Sequence, residues 1–462
     1  MTPNTTTTIT NPTHPVCQTC PQLQQLQQQL TTKDQEITQL KHALLQYENP
    51  HTPPSKQTHQ RRRHYPTQTG NHKKSQKRFP GPKKGHKGQT RPKPKTPTIT
   101  KQPPQKTVCD HCNTPLNQPT QIKHHIIEEI PNRQKRQIID FLEFSYQCPN
   151  CHTRHTTRDP QCPPEGIFGV NAMVQTTLLK FNDRLPFEKT AQHMSEVFDL
   201  SMTSATALEI TNRVSQTLRP NYQEILTKIR ASPFVNVDEA SIKIDGKKWW
   251  IWGFVTSTET LYVIEPSRGK KVLVQVLGKD FSGYIGCDGW RVYSNFSGRL
   301  QRCWSHLLRE AKWLSEDPGD VEAGGLYGGL CRLFFDLCGG LVGDPPLAVR
   351  RRLWVLGRRR LRYWLDRRYE GKAVKKFIQT LSHGFEHWFT FVLAPGLEPT
   401  NNCVERALRG PVVQRKIMGT LRNQKGTEIY ETLMTLIATW KKQCLDLHDK
   451  MAESLLTAWS RS

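Results

Sequence analysis

From residue 233 the apolar residues of this chain change period, and that change constrains the fold more than any other feature. "PFVNVDEASIKI" alternates apolar and polar positions up to Asp245-Gly246, and "KWWIWGFVTS" and "TLYVIEPS" follow. Alternation of period two is the mark of a strand with one buried face. An Asp-Gly pair between two such runs signals a two-residue hairpin, so Asp245 is read as a turn residue and not a catalyst. "GKKVLVQVLG" has the pattern of a helix, and "SGYIGCDGWRVYS" brings a fourth strand. A helix between the third and fourth strands lets the fourth run parallel to the first. Three strands, a helix and a parallel fourth strand open a ribonuclease-H-like domain.

Two acids stand out in this order. Asp238 lies on the first strand after Val235 and Val237, and Asp288 ends the fourth. Carboxylates on adjacent central strands repel one another unless a cation neutralises them, and such hard oxygen ligands suit Mg²⁺ or Mn²⁺. Glu239 follows Asp238 directly, and strand alternation points it to the opposite face. Near the end of the chain, "TNNCVERALRG" reads as a helix capped by Asn401 and Asn402, with Glu405 beside Arg406 and four residues before Arg409. By itself that is an ordinary surface Glu–Arg pair, worth tenths of a kcal/mol. With Asp238 and Asp288 upstream, Glu405 completes a candidate two-metal site. Such a site clamps the attacking and leaving oxygens of an in-line phosphoryl displacement. Arg406, Arg409, Arg415 and Lys416 are the candidate DNA-phosphate contacts.

The charge balance points the same way. The net charge is +26, which calls for a polyanionic partner, nucleic acid first. Residues 51–107 hold sixteen Lys and Arg and no Asp or Glu. That segment cannot bury a core and is read as an extended linker whose binding to a phosphate backbone would release counterions. Before it, Leu23, Leu26, Leu30, Ile37, Leu40, Leu44 and Tyr47 recur at spacings of three and four, with Lys33 in the one polar slot. This is a coiled-coil seam for a homodimer, or an amphipathic helix that packs on its own chain. Cys17 and Cys20 carry a weak metal signal without a second pair nearby.

Two C-x-x-C knuckles, Cys109/Cys112 and Cys148/Cys151, stand 35 residues apart. In a reducing compartment that spacing suits four thiolates on one structural Zn²⁺, a zinc ribbon with an insertion. His111, His152 and Cys162 are read as bystanders. Residues 165–230 offer two helices around a break at Asp199–Ser201, a helix-turn-helix or an ordinary helical hairpin. No run of 18 apolar residues is present and the polar N-terminus lacks a secretory core, which predicts a cytoplasmic, nucleoid-associated protein with no membrane partner.

With these motifs in view, the chain resembles the insertion sequence 66 family of DDE transposases. The matching stretches are "HKGQTRP", "CDHC…CPNC", "VDEA" with "WWIWGFVT", "CDGWRVYS", "CWSHLLREAKW" and the segment from "NNCVERALRG" to "LIATWKK". The resemblance implies an acidic triad at Asp238, Asp288 and Glu405, cutting of transposon ends and joining of 3′-hydroxyls to target DNA. It also implies small accessory proteins as partners. The expected fold is a multidomain α+β chain: a disordered start and coiled coil at 1–50, a basic linker at 51–107, a zinc-binding segment at 108–164 and a helix-turn-helix-like region at 165–230. The first part of a ribonuclease-H-like core follows at 231–300, a helical insertion at 301–398 and C-terminal core helices at 399–462.

The insertion opens with Cys303-x-x-His306, a pair that related enzymes often carry after the second Asp. Residues 350–376 hold twelve Lys and Arg against two acids, with Trp354, Tyr363, Trp364 and Tyr369 interspersed. Those aromatics serve either DNA ends or the core of the insertion. The run 323–343 departs from the family's pattern: seven glycines between 324 and 343 weigh against a regular helix. Two other readings remain open at this stage. One is a non-catalytic zinc-containing DNA-binding protein, either an inactive transposase remnant or a regulator. The other is a ribonuclease-H-like nuclease that hydrolyses without joining.

Overall fold

Asp245 and Gly246 adopt positive φ, 48° and 70°, and turn strand β3 (Phe234–Ile244) into strand β4 (Lys247–Val255). Both belong to a computed structural model that describes residues 100, 108, 110–115, 136–297, 299–316 and 321–461. The coiled-coil seam, the basic linker apart from residue 100, and Cys109 lie outside the described residues. Before β3 come a small hairpin of β1 (Phe144–Gln147) and β2 (Arg154–Thr157), and helices α1 (Val170–Phe181), α2 (Phe187–Phe198), α3 (Ser204–Thr217) and α4 (Arg219–Ala231). The break between α2 and α3 falls where the sequence indicates, with Asp199 in the left-handed region at φ 55°.

The hairpin continues antiparallel into β5 (Thr260–Glu265). Helix α5 (Lys270–Leu277) then carries the chain across to β6 (Tyr284–Cys287), which runs parallel to β3. A fifth strand, β7 (Leu300–Arg302), pairs parallel with β6 after the short helix α6 (Arg291–Ser294). The strand order is β5-β4-β3-β6-β7, a mixed sheet. The expected three strands, helix and parallel fourth strand are therefore present. The three residues of β7 show no period by which the sequence announces them.

Helices α7 (Trp304–Leu314), α8 (Val321–Gly340), α9 (Leu347–Leu365), α10 (Lys372–His383) and α11 (Thr390–Leu393) follow. They bury their own cluster around Trp304, Phe377 and Phe389. The glycine-rich run is helical after all. Leu326, Leu330, Leu333 and Leu337 are buried along one face of α8. Burying a leucine stabilises by about 1.5–3 kcal/mol, more than the about 1 kcal/mol that a glycine costs a helix interior. Two of the glycines also have a use: Gly329 lies against the Trp364 indole, and a Cβ on Gly340 would stand 2.8 Å from Leu353 Cδ2.

Three C-terminal helices complete the sheet: α12 (Asn402–Met418), α13 (Gln424–Lys442) and α14 (Leu447–Trp459). Helix α12 lies across β3 and β4, and α13 runs along β5. One hydrophobic core joins the sheet, α13 and α14 to α1, α3 and α4. Helix α13 also closes the free edge of β5. The Thr260 N–H donates to Thr439 Oγ1 at 3.1 Å, the Tyr262 N–H to Thr435 Oγ1 at 2.9 Å, and the Ile264 N–H to Glu431 Oε1. Four helical residues rise about 6 Å and two strand residues about 6.7 Å, so the i, i+4 side chains keep step with alternate strand amides. The architecture is mixed α+β. Among the described residues, no helix is long and apolar enough to cross a membrane.

Candidate functional site

Phe234, Val235 and Asn236 pair in parallel with Tyr284, Ile285 and Gly286. The same offset, carried two residues further, puts Asp238 level with Asp288, on the same face and about 4.8 Å apart strand to strand. Asp288 follows β6 directly, and its Oδ1 accepts the Trp290 N–H at 2.8 Å, which fixes its orientation. Asp238 Oδ1 accepts the Glu239 N–H at 2.9 Å.

The third acid arrives from above the sheet. Gly253 is the cross-strand partner of Asp238, and α12 settles onto it. A Cβ on Gly253 would meet Val404 Cγ2 at 3.0 Å. Glu405, the next residue, is thereby brought within electrostatic reach. Burial pushes the Asp238 carboxyl well above the usual carboxylate range, and the charges of Glu239, Asp288 and Glu405 push it further.

Glu405 is engaged by α7. Its Oε1 lies 3.3 Å from His306 Nε2 and its Oε2 lies 3.8 Å from Arg309 Nη2. Among the described residues, no three His, Cys, Asp or Glu side chains are gathered closely enough to hold one ion. The carboxyl of Asp238 nevertheless feels the charges of Asp288 and Glu405, a repulsion of the kind that a hard cation relieves.

Glu239 does face the other way. It is buried, with Oε1 2.6 Å from Arg268 Nη2, and its Oε2 accepts the Tyr293 hydroxyl at 2.6 Å. Burial raises its carboxyl, and the Tyr293 hydrogen bond opposes that rise. Arg268 stacks on Trp290 with 4.0 Å to the ring centroid. The acid directly after Asp238 is thus occupied in supporting the ring beside Asp288.

Asn401 does not cap α12 with its side chain as the sequence suggests. Its Nδ2 donates instead to the Val237 carbonyl at 2.9 Å, and its backbone N–H donates to Cys303 Sγ at 3.1 Å. Among the candidate phosphate contacts, Arg406, Arg409 and Lys416 are exposed. Arg415 is half-buried and its Nη1 donates to the Ser241 carbonyl.

Of the thiols, Cys148 and Cys151 occupy the tip of the β1–β2 hairpin, closed by the Cys148 N–H donating to the Thr153 carbonyl at 2.9 Å. The hydrogen bond between Cys151 and the Thr153 side chain is the largest cause that brings the Cys151 thiol down to about 7. Cys112 sits in an exposed turn. In the insertion, Tyr369 is buried and Trp364 covers Gly329, while Tyr363 is exposed.

The sequence reasoning passed over Gly253, Arg309 and Trp290. Only Gly253 left a signal, a glycine inside an otherwise bulky strand, which marks a close backbone approach.

The family described as "Transposase IS66 family" matches residues 165–429, more than half of the chain. The chain belongs to this transposase family. The match takes in Asp238, Asp288 and Glu405 and begins after the cysteine hairpin. The chain is also similar to two uncharacterised proteins of Sinorhizobium fredii. One, y4jD, is 23% identical over 391 residues, covering 76% of this chain and 75% of the relative. The other, y4hP, is 22% identical over 372 residues, covering 71% of this chain and 66% of the relative. Membership of a transposase family makes DNA the partner to expect.

Proposed function

We propose that this chain is a DNA transposase that cuts transposon ends and joins their 3′-hydroxyls to target DNA by metal-dependent phosphoryl transfer. The observation that supports the reading is that Asp238 and Asp288 follow the paired stretch of β3 and β6 at the same offset, and that the charges of Asp288 and Glu405 both act on the Asp238 carboxyl. The sheet order, with three antiparallel strands followed by two parallel ones, supports a ribonuclease-H-like core over 231–300 and 399–462, split by the insertion 301–398.

Asp238, Asp288 and Glu405 would hold Mg²⁺ or Mn²⁺. Such an ion supplies charge neutralisation at the transferring phosphoryl group. The chain's own residues do the rest. Burial desolvates the Asp238 carboxyl, and the Trp290 N–H donates to Asp288 Oδ1 and orients it. Arg309, Arg406 and Arg409 lie on the same helices as, or next to, Glu405, where they are able to bind phosphates. The set Cys109, Cys112, Cys148 and Cys151 would hold structural Zn²⁺. Residues 165–230 would bind DNA as a helix-turn-helix, and the N-terminal seam would pair two chains. Accessory proteins fit the same reading as partners.

One observation favours the non-catalytic reading: the Glu405 carboxylate is paired with His306 and Arg309 and not with the two aspartates. The deciding experiment incubates the full chain with labelled transposon-end DNA and Mg²⁺ or Mn²⁺, beside an Asp288→Ala variant. Joined products from the wild type alone are expected. Nicking without joining means a nuclease, and tight binding without cleavage means a DNA-binding protein.

A further inference from the structure

The three acids stand on three separate segments of chain, and one pair of buried side chains ties those segments together. Cys303 and Asn401 are 2% and 0% exposed. The Cys303 N–H donates to the carbonyl of Cys287 at 2.9 Å, and Cys287 immediately precedes Asp288. Cys303 Sγ accepts the Asn401 N–H at 3.1 Å. Asn401 Nδ2 donates to the carbonyl of Val237 at 2.9 Å, and Val237 immediately precedes Asp238. The Asn401 carbonyl accepts the N–H of Glu405 at 3.3 Å. Three of these four bonds have an end on an acid or on the residue before it, and the fourth joins Cys303 to Asn401.

We infer that Cys303 and Asn401 are positioning residues that set the spacing of the three carboxylates. The inference rests on the active site proposed above. The Asn401 side chain does not cap α12, because no amide of that helix donates to its Oδ1, and its Nδ2 is held by β3. The thiol is a weak acceptor, and its bond to the Asn401 N–H is buried. Loss of the sulfur leaves the Asn401 N–H without that acceptor and frees the start of α12 to move relative to β6. Asp238 and Asp288 would keep their level in the sheet, because the β3–β6 ladder sets it. Glu405 would lose its distance from them.

The test uses the full chain as wild type, Cys303→Ala, Cys303→Ser, Asn401→Ala and Asp288→Ala. Two quantities are read: the Mn²⁺ concentration that half-saturates the rise in melting temperature, and kcat and KM for cleavage of end DNA. Residues that orient metal ligands typically change affinity or activity by about tenfold to a hundredfold. Cys303→Ala and Asn401→Ala should raise the Mn²⁺ midpoint by about that factor and lower kcat with KM for DNA unchanged. Cys303→Ser should recover both relative to Cys303→Ala, because a hydroxyl accepts the same N–H. Cys303→Ala is the gentler change and carries the test if Asn401→Ala does not fold. A wild-type Mn²⁺ midpoint and kcat in Cys303→Ala overturn the inference, with or without a lower melting temperature. If Asp288→Ala loses the Mn²⁺ response while Cys303→Ala keeps it, only the positioning role falls. A wild type with no Mn²⁺ response overturns the active-site reading together with this inference.

Discussion

Val404 rests on Gly253 with no room for a methyl group between them: a Cβ on Gly253 would stand 3.0 Å from Val404 Cγ2 and 3.2 Å from Leu408 Cγ. The neighbour of Val404 is Glu405, and the cross-strand partner of Gly253 is Asp238. In Gly253→Ala the side chains of Val404 and Leu408 must give by a few tenths of an ångström, at the place where α12 seats on the strand partner of Asp238. A displacement of about 1 Å at a reacting centre costs up to about a hundredfold in rate. Overpacking of this kind lowers stability by about 1–3 kcal/mol. Strand joining by Gly253→Ala should fall by about severalfold, less than a full 1 Å displacement would cost, while DNA binding measured by gel shift stays at the wild-type level. Wild-type joining by the variant would show that α12 has freedom to adjust.

Burial first, and then the repulsion of its neighbours, disfavours the charged form of Asp238 in the metal-free protein. Asp238→Asn keeps the oxygen that accepts the Glu239 N–H and removes the charge. Above the usual carboxylate range, the metal-free variant should melt a few degrees higher than wild type, for about 1 kcal/mol of relieved repulsion. Calorimetry in chelator reads this directly. Joining activity should disappear in the same variant, so stability and function change in opposite directions.

Glu431 offers a test by pH. Burial is the first cause that pushes its carboxyl from 4.5 up to about 7. The folded chain thus holds this proton more tightly than the unfolded chain does. The stability that this group contributes is complete below pH 4.5 and is lost as pH rises towards 7. The full effect is on the order of 3 kcal/mol. Glu431→Gln keeps an acceptor for the Ile264 N–H and removes the titration. The two melting temperatures should coincide near pH 4.5 and separate by pH 8, with the variant higher. Parallel curves across that range would refute the assignment.

The glycines of α8 divide into two kinds. Gly329 lies against Trp364, whereas a Cβ on Gly325 meets nothing within 4 Å. Gly325→Ala should stabilise by about 0.5–1 kcal/mol through helix propensity. Gly329→Val should destabilise by about 1–3 kcal/mol through overpacking. Thermal melts of the two variants should move in opposite directions. A shared direction would mean that Trp364 gives way freely.

The hairpin, the parallel fourth strand and both aspartates were legible because alternation and an Asp-Gly turn are local properties. Two things were not. Strand β7 is three residues long and has no room for a period. The pairing of Glu405 with His306 and Arg309 was not legible, because helix spacing is visible in sequence, whereas the approach of α7 across about a hundred residues is not. Asn401 shows the same limit: its residue type suits a cap, but its side chain turns to β3, where Nδ2 donates to the Val237 carbonyl. In α8, counting glycines gave the wrong sign because the leucines between them fall at spacings of four, three and four on one buried face.

The ladder from α13 to β5 also bears on the order in which the chain is made. Thr260 and Thr439 are separated by 179 positions, Tyr262 and Thr435 by 173, and Ile264 and Glu431 by 167. During synthesis the outer edge of β5 leaves the ribosome long before the residues that cover it exist. An uncovered strand edge invites pairing with another chain, and contacts this distant in sequence are slow to form. The nascent chain is therefore most exposed to mispairing between the birth of β5 and the birth of α13, and a message cut short in that interval would yield a product with an open edge and not a smaller folded protein.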